Sequence, residues 1–163
     1  MKERSSPLRP AKETPLAPLD YAYRLLARRA HSEHALAERM LTKGFTESAV
    51  ARSVARLKEQ GYLNDAQLAE DQAERLRKRG FGSERIRNTL TQQGIDASSV
   101  EEALISRERD DELADAQRFL ASRYSVDALK QPQVYARAFR LLSRRGYAHD
   151  VVESVLGSAP SDD

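Results

Sequence analysis

The chain has 163 residues, of which 40% are apolar and 32% charged, and its formal net charge at pH 7 is +2. It contains no cysteine, which excludes disulfides and thiolate chemistry, and no apolar run approaches the roughly 18 residues of a membrane-spanning helix. We therefore expect a soluble, cytoplasmic protein of one ordinary domain or a short row of small modules, with no membrane partner.

The N-terminal segment has its own composition. The first 18 residues hold four of the six prolines, together with scattered lysines and arginines. Such a composition cannot bury an apolar core, so residues 1–18 are predicted to form a disordered, proline-rich arm. The ordered part is predicted to begin near Leu19, and residues 158–163 are predicted to form a frayed C-terminus.

One phrase of sequence occurs three times, at a period of about 50 residues. The copies are RMLTKGFTESAVARSV, NTLTQQGIDASSVEEAL and LLSRRGYAHDVVESVL, which align on Gly44, Gly94 and Gly146. Four positions before the glycine stand Met40, Leu90 and Leu142; one after it, Phe45, Ile95 and Tyr147; and six after it, Val50, Val100 and Val152. An internal period of this length is typical of a repeat architecture.

Apolar residues four apart flank each glycine, as Leu36 and Met40 do before Gly44. This spacing places both residues of a pair on one face of a helix. Glycine adopts left-handed backbone angles without steric cost and commonly ends a helix. Each copy therefore predicts a helix, a tight turn and a second helix, with Thr46 and Asp96 as N-caps of the second helices in the first two copies.

A further helical stretch precedes each hairpin. Asn64 is placed to cap the second of these stretches, and Pro132 marks a break before the third hairpin. The sequence thus predicts an all-α fold, an elongated array of three tandem three-helix repeats at residues 19–63, 64–108 and 109–157. Because one repeat buries few large apolar side chains, at about 1.5–3 kcal/mol each, it is expected to need its neighbours for stability.

Charge is segregated along the middle of the chain. Residues 75–87 contain six basic side chains and one acid, whereas residues 96–115 contain eight acids and two arginines. Such asymmetry favours an oriented partner surface for nucleic acid or an acidic protein. The alternative is a set of solvated helix faces whose opposite charges pair with one another.

The residues that enzymes use do not form a recognisable pattern here. The three histidines are His31, His34 and His149, and the first two are close enough in sequence to share a metal ion. Surface histidines beside the start of a helix explain them better. The chain has no HExxH motif, no phosphate-binding glycine loop and no GxSxG motif. We expect no catalytic residue, metal or cofactor, and no enzymatic activity.

The spacing around each glycine also fits a helix-turn-helix, whose second helix presents exposed side chains to DNA bases. In this chain those positions are mostly small or acidic, as at Glu47, Glu101 and Asp150, and only Arg52 suits base recognition. Acids facing phosphates repel them. A helix-turn-helix-like DNA-binding or transcription regulatory protein therefore stays the alternative interpretation.

Several motifs in fixed order resemble the RecX family, small bacterial regulators of the RecA recombinase. The matching stretches are ARRAHSEHALAERMLTKGF (27–45), LKEQGYLNDAQLAE (57–70) and RKRGFGSERIRNTLTQQGID (77–96). The resemblance covers about residues 19–157 and is strongest over 27–96. Asn64 stands where the family usually has an acid, and Ser83 where proline is common; both are good helix-capping residues.

The resemblance implies a protein that binds along the groove of the RecA–DNA filament and inhibits the recombinase and ATPase activities of RecA. It also implies a role in recombination regulation, DNA repair and the SOS response. We expect a monomer without a cofactor. The candidate filament contacts are basic residues, namely Arg28, Arg29, Lys43, Arg75, Lys78, Arg79, Arg85 and Arg87. Whether they meet an acidic recombinase surface or DNA phosphates stays open.

Overall fold

The computed structural model describes residues 17–105 and 109–159, and every regular element in these ranges is an α-helix. Most of the predicted N-terminal arm and of the predicted frayed C-terminus lies outside the described residues. Pro18 is the first residue of the first helix, where its missing N–H is no loss. No described helix is long and apolar enough to cross a membrane.

The helices form three successive groups. Repeat 1 comprises α1 (Pro18–Leu26), α2 (Glu33–Lys43) and α3 (Glu47–Glu59). Repeat 2 comprises α4 (Asp65–Lys78), α5 (Ser83–Gln92) and α6 (Ala97–Ile105). Repeat 3 comprises α7 (Arg109–Ala121), α8 (Val126–Leu129), α9 (Pro132–Arg144) and α10 (His149–Leu156). The predicted all-α fold of tandem three-helix repeats is confirmed, and the single turn α8 is an addition that the sequence pattern did not reveal.

Local signals in the sequence set the ends of these helices. Gly44, Gly94 and Gly146 have φ angles of 100°, 72° and 79°, as a left-handed helix end requires. Thr46 Oγ1 accepts a hydrogen bond from the Ala49 N–H at 3.3 Å, Asp96 Oδ1 one from the Ser99 N–H at 3.0 Å, and Asn64 Oδ1 one from the Gln67 N–H at 3.0 Å. The three predicted N-caps are therefore confirmed.

Each repeat has its own apolar core, built on equivalent positions. Met40, Leu90 and Leu142, four residues before the three glycines, are fully buried. The largest buried side chains around them include Leu36 and Leu57 in repeat 1, Ile86 and Val100 in repeat 2, and Val152 in repeat 3. The apolar periodicity read from the sequence thus marks the faces that the repeats bury.

Successive repeats meet in the same way at two joints, where the glycine turn of one repeat docks on the start of the middle helix of the preceding repeat. At the first joint, between repeats 1 and 2, Ser32 Oγ donates to the Gln93 carbonyl at 2.7 Å. At the second joint, the Gly82 N–H donates to the Arg145 carbonyl at 2.9 Å and the Glu84 N–H to the Gly146 carbonyl at 3.1 Å. The turns therefore both end helices and join repeats.

The second joint corrects one expectation about capping. Ser83 does not cap α5; the N-cap is Gly82, which makes no side-chain capping bond, and Ser83 is the first helical residue. Its N–H donates instead to Glu112 Oε1 of repeat 3 at 2.8 Å. The start of α5 is thus satisfied from the neighbouring repeat, since its own sequence supplies no cap.

Candidate partner-binding surfaces

A basic groove lies at the second joint, between the end of α4 and α7. It has a volume of about 430 Å³ and is bordered by the cations Arg77, Lys78, Arg79, Arg118 and Arg123 and by the acids Glu74 and Asp115. We call it the second-joint groove. Cations therefore outnumber acids along it, and they come from two repeats.

Aromatic rings hold three arginines in place at the second joint, two of which, Arg79 and Arg123, border the groove. The guanidinium of Arg145 lies 4.7 Å from the ring centroids of both Phe81 and Phe119, and its Nη1 donates to the Arg79 carbonyl at 2.8 Å. The guanidinium of Arg123 lies 4.0 Å from the Phe119 ring, and that of Arg79 lies 5.5 Å from the Phe81 ring. Stacking on a ring orders a guanidinium while leaving its N–H groups available to anions.

Gly80 makes this close packing possible. It has a φ of 77°, and a Cβ atom on it would lie 2.2 Å from a carbon of the Phe119 ring. A side chain there would separate the end of α4 from α7 and open the groove. Glycine is needed here for space as well as for backbone angle.

The cations of the groove differ in how far they are already paired. Lys78 Nζ lies 3.4 Å from Glu74 Oε1, and Arg118 Nη1 lies 2.8 Å from Asp115 Oδ1. Within the described residues, no carboxylate lies within ion-pair distance of Arg79 or Arg123. Because both are exposed, these two arginines are the ones best placed to meet an external anion.

Two other predicted contacts, Arg29 and Arg75, border a different cleft. This cleft lies at the first joint, has a volume of about 520 Å³ and is lined otherwise by mostly polar residues, including Gln72 and Gln92. Arg75 therefore borders a different cleft from Lys78 and Arg79, although the three lie within five residues of one another in the chain. Arg28 and Lys43 are exposed on repeat 1 and border neither of them.

Arg87 takes part in an internal ion pair. Its Nε and Nη2 donate to the two carboxylate oxygens of Glu101 at 2.8 and 3.2 Å. This hydrogen-bonded pairing raises the pKa of Arg87 and lowers the pKa of Glu101. Arg85 is exposed, but its backbone packs against Gly146 at the second joint. Arg87 therefore fits the alternative interpretation of the segregated charge, in which basic and acidic side chains of the chain pair with one another.

Three arginines at the second joint were missed by sequence reasoning: Arg118 and Arg123, which border the groove, and Arg145, which lies against Phe81 and Phe119 beside it. They lie in repeat 3, about 40 to 65 residues from Lys78 and Arg79, and no spacing rule connects them to that segment. The one local signal is that Arg123 follows Phe119 by four residues, so the two lie close together where α7 ends.

A buried acid lies at the first joint. Asp65 is 6% exposed, and its Oδ1 accepts a hydrogen bond from the Glu33 N–H at 3.0 Å. Burial raises the pKa of this carboxyl. Lys58 Nζ lies 2.9 Å from Glu33 Oε2 nearby. The Asp65 carboxylate therefore joins repeat 2 to repeat 1, and the ion pair beside it links α2 and α3 within repeat 1.

The histidines do not converge. His34 and His149 are exposed, as predicted, but the prediction of a surface position is wrong for His31, which is 7% exposed. Burial is the main cause that lowers the pKa of His31, and the positive charges of Arg29 and Arg39 lower it further. In the described part of the chain, no three His, Asp or Glu side chains are arranged to hold a metal ion.

Comparison with known proteins gives a consistent result. Two family models match, described as the first three-helix domain of RecX, over residues 19–57, and the second, over residues 64–104. A regulatory protein RecX of Pseudomonas savastanoi pv. phaseolicola is 32% identical over 156 residues, covering 93% of this chain and 97% of that protein. One from Deinococcus radiodurans is 34% identical over 135 residues, covering 82% of this chain and 64% of that protein.

The fold comparison agrees with these sequence matches. The crystal structure of RecX from Lactobacillus salivarius superposes with a TM-score of 0.73, covering 85% of this chain and 92% of that one. The sequences are 16% identical, so this similarity shows a shared fold.

Proposed function

The chain belongs to the RecX family of regulatory proteins, and from this premise we propose that it binds the filament that the RecA recombinase forms on DNA and inhibits its recombinase and ATPase activities. Binding to the filament needs an extended surface with suitable charge, and it needs no reaction centre in this chain. A row of repeats supplies such a surface because each repeat adds its own face to the array.

The second-joint groove is the surface through which we propose that the protein contacts the filament. Its exposed arginines, Arg79 and Arg123, lack a carboxylate partner within the described residues and are held by aromatic rings. A nucleoprotein filament offers both DNA phosphates and acidic side chains to such groups. Charge complementarity of this kind orients binding and increases the association rate.

The test uses paired charge reversals in the full-length chain. The groove variant is Arg79→Glu with Arg123→Glu. The matched control is Arg137→Glu with Arg140→Glu, which changes the same charge on exposed residues of α9 outside the groove. Co-sedimentation with RecA filaments on single-stranded DNA gives binding, and strand exchange and ATP hydrolysis give inhibition.

The parent protein should co-sediment with the filaments and reduce both activities. The groove variant should bind about tenfold more weakly or worse, while the control binds like the parent. Failure of the parent to co-sediment would reject the proposed function. Equal binding by all three proteins would instead reject the groove as the contact.

A helix-turn-helix-like DNA-binding protein is the competing interpretation. The exposed starts of α3, α6 and α10 carry acids, such as Glu47, Glu102 and Asp150, on the side that would face DNA. We therefore expect weak binding to bare DNA and tighter binding to the assembled filament. Strong binding to bare DNA with a steep salt dependence would favour the competing interpretation.

A further inference from the structure

The three glycine turns are not equally covered. A Cβ atom added to Gly94 would lie 2.9 Å from the His34 side chain, and one added to Gly146 would lie 2.4 Å from Arg85. A Cβ atom added to Gly44 would have no atom of the described residues within 4 Å. The turns of repeats 2 and 3 therefore lie against the middle helix of the preceding repeat, whereas no part of the described chain covers the Gly44 turn of repeat 1.

The residue after each glycine shows the same difference. Ile95 and Tyr147 are 5% and 2% exposed, whereas Phe45 is only partly buried. Leu41, three residues before Gly44, is 44% exposed. The equivalent positions of the other two turns hold polar residues, Thr91 and Ser143. Apolar surface is thus left uncovered on both sides of the Gly44 turn.

Hydrogen-bond acceptors are also left over at this turn. At the two joints, the carbonyls of Gln93, Arg145 and Gly146 accept hydrogen bonds from the docked helix start. Their counterparts are the carbonyls of Lys43 and Gly44, and neither accepts a hydrogen bond from any described residue. If the docked helix were removed, the two joints would likewise present free carbonyl acceptors beside an exposed apolar residue, Ile95 at the first joint and Tyr147 at the second.

From the two occupied joints we infer that the Gly44 turn is a docking site for the start of an α-helix on the partner protein. The chain itself shows which helix starts fit. The two docked N-caps are Ser32, which donates through its hydroxyl, and Gly82, which donates through its N–H. The expected occupant is therefore an exposed helix start with a Ser or Gly N-cap. The inference rests on the proposed function, in which the partner is the recombinase of the filament.

A second copy of this chain does not fit the site. The open helix start that a copy would offer is that of α9, the middle helix of repeat 3. There the N-cap Gln131 has no hydroxyl to donate as Ser32 does, and its N–H, the counterpart of the Gly82 N–H, already donates to the Ala128 carbonyl at 3.1 Å. Gly146 also lies fifteen residues after the N-cap Gln131, against twelve residues in α2 and α5, so α9 extends nearly one turn further.

The test fills the turn with the side chain that left-handed backbone angles strain least. Asparagine tolerates left-handed backbone angles better than most residues, so Gly44→Asn should keep the fold, with local strain at the turn, while placing a side chain where the partner helix would dock. Gly61→Asn is the matched control, because Gly61 has a φ of 74° and an added Cβ there also meets nothing within 4 Å. Circular dichroism checks that both variants keep the helicity of the parent.

In co-sedimentation with RecA filaments on single-stranded DNA, Gly44→Asn should bind about tenfold more weakly, and Gly61→Asn should bind like the parent. If the parent itself does not bind, the proposed function fails. If the parent binds and Gly44→Asn binds equally well, the inference alone is overturned.

Photo-crosslinking identifies the occupant independently. A benzophenone amino acid in place of Lys43 lies directly beside the turn. Crosslinks to the start of a recombinase helix in the filament support the inference. Crosslinks instead to residues 1–16 of the same chain, or to a second copy, overturn it.

Discussion

Gly82→Ala tests whether the repeats are joined by direct backbone contact. Gly82 has ordinary angles, φ −82° and ψ 169°, so alanine is compatible with its backbone. Such a substitution alone should stabilise a protein by about 0.4–1 kcal/mol, because it reduces the entropy of the unfolded chain. At this position, however, the new Cβ would lie 2.4 Å from the Gly146 carbonyl oxygen and 2.4 Å from the Tyr147 nitrogen.

These opposing atoms belong to the backbone of the turn, so they cannot rotate away as a flexible side chain would. The joint must open, which removes the hydrogen bonds from Gly82 to Arg145 and from Glu84 to Gly146. Each is worth about 0.5–1.5 kcal/mol, and overpacking adds about 1–3 kcal/mol. We therefore expect a net destabilisation of about 2–4 kcal/mol, which lowers the melting temperature by roughly 5–15 °C.

Urea and thermal unfolding followed by circular dichroism measure the change, and hydrogen exchange reports on the Gly82 and Glu84 amides. Gly44→Ala is the control, because its Cβ would meet no described atom within 4 Å and its φ of 100° costs about 1–2 kcal/mol of local strain only. Faster exchange at the second joint should occur in Gly82→Ala alone. A Gly82→Ala protein as stable as the parent, with unchanged exchange at Glu84, would refute the reasoning.

Two further predictions concern the joints. Since burial raises the pKa of Asp65 above 3.8, its contribution to stability is largest in acid and is lost as the pH rises through the raised pKa. The free energy of unfolding of the parent minus that of Asp65→Asn should therefore fall between pH 3 and pH 7 in urea titrations; a constant difference would contradict this. Arg145→Lys keeps the charge but loses planar stacking on Phe81 and Phe119, so it should lower stability by about 1–2 kcal/mol, and an unchanged melting temperature would disprove the role of stacking.

Much of the fold could be read from the sequence because its signals are local. The left-handed glycines, the caps Thr46, Asn64 and Asp96, and the four-residue apolar spacing each act within one or two helical turns. Ser83 is the exception among the capping residues. Its N–H donates a hydrogen bond to Glu112, which lies 29 residues further along the chain. No local sequence pattern predicts that contact.

The candidate sites were less predictable. The sequence grouped Arg75, Lys78, Arg79 and Arg87 as one basic segment, yet the structure places them in two clefts and an internal ion pair. Helical periodicity gives the direction of each side chain around its own helix. It does not give the charges that neighbouring helices bring to the same surface.

The sequence by itself determined a helical repeat protein of the RecX family, because hairpins, caps and apolar faces depend on residues near one another in the chain. Only the tertiary structure decided that Arg79, Arg123 and Arg145 meet over two aromatic rings and that the Gly44 turn is uncovered. The physical reason is that both features depend on how one repeat is set against the next. That arrangement is fixed by close backbone contacts at the joints, between residues that are far apart in the sequence.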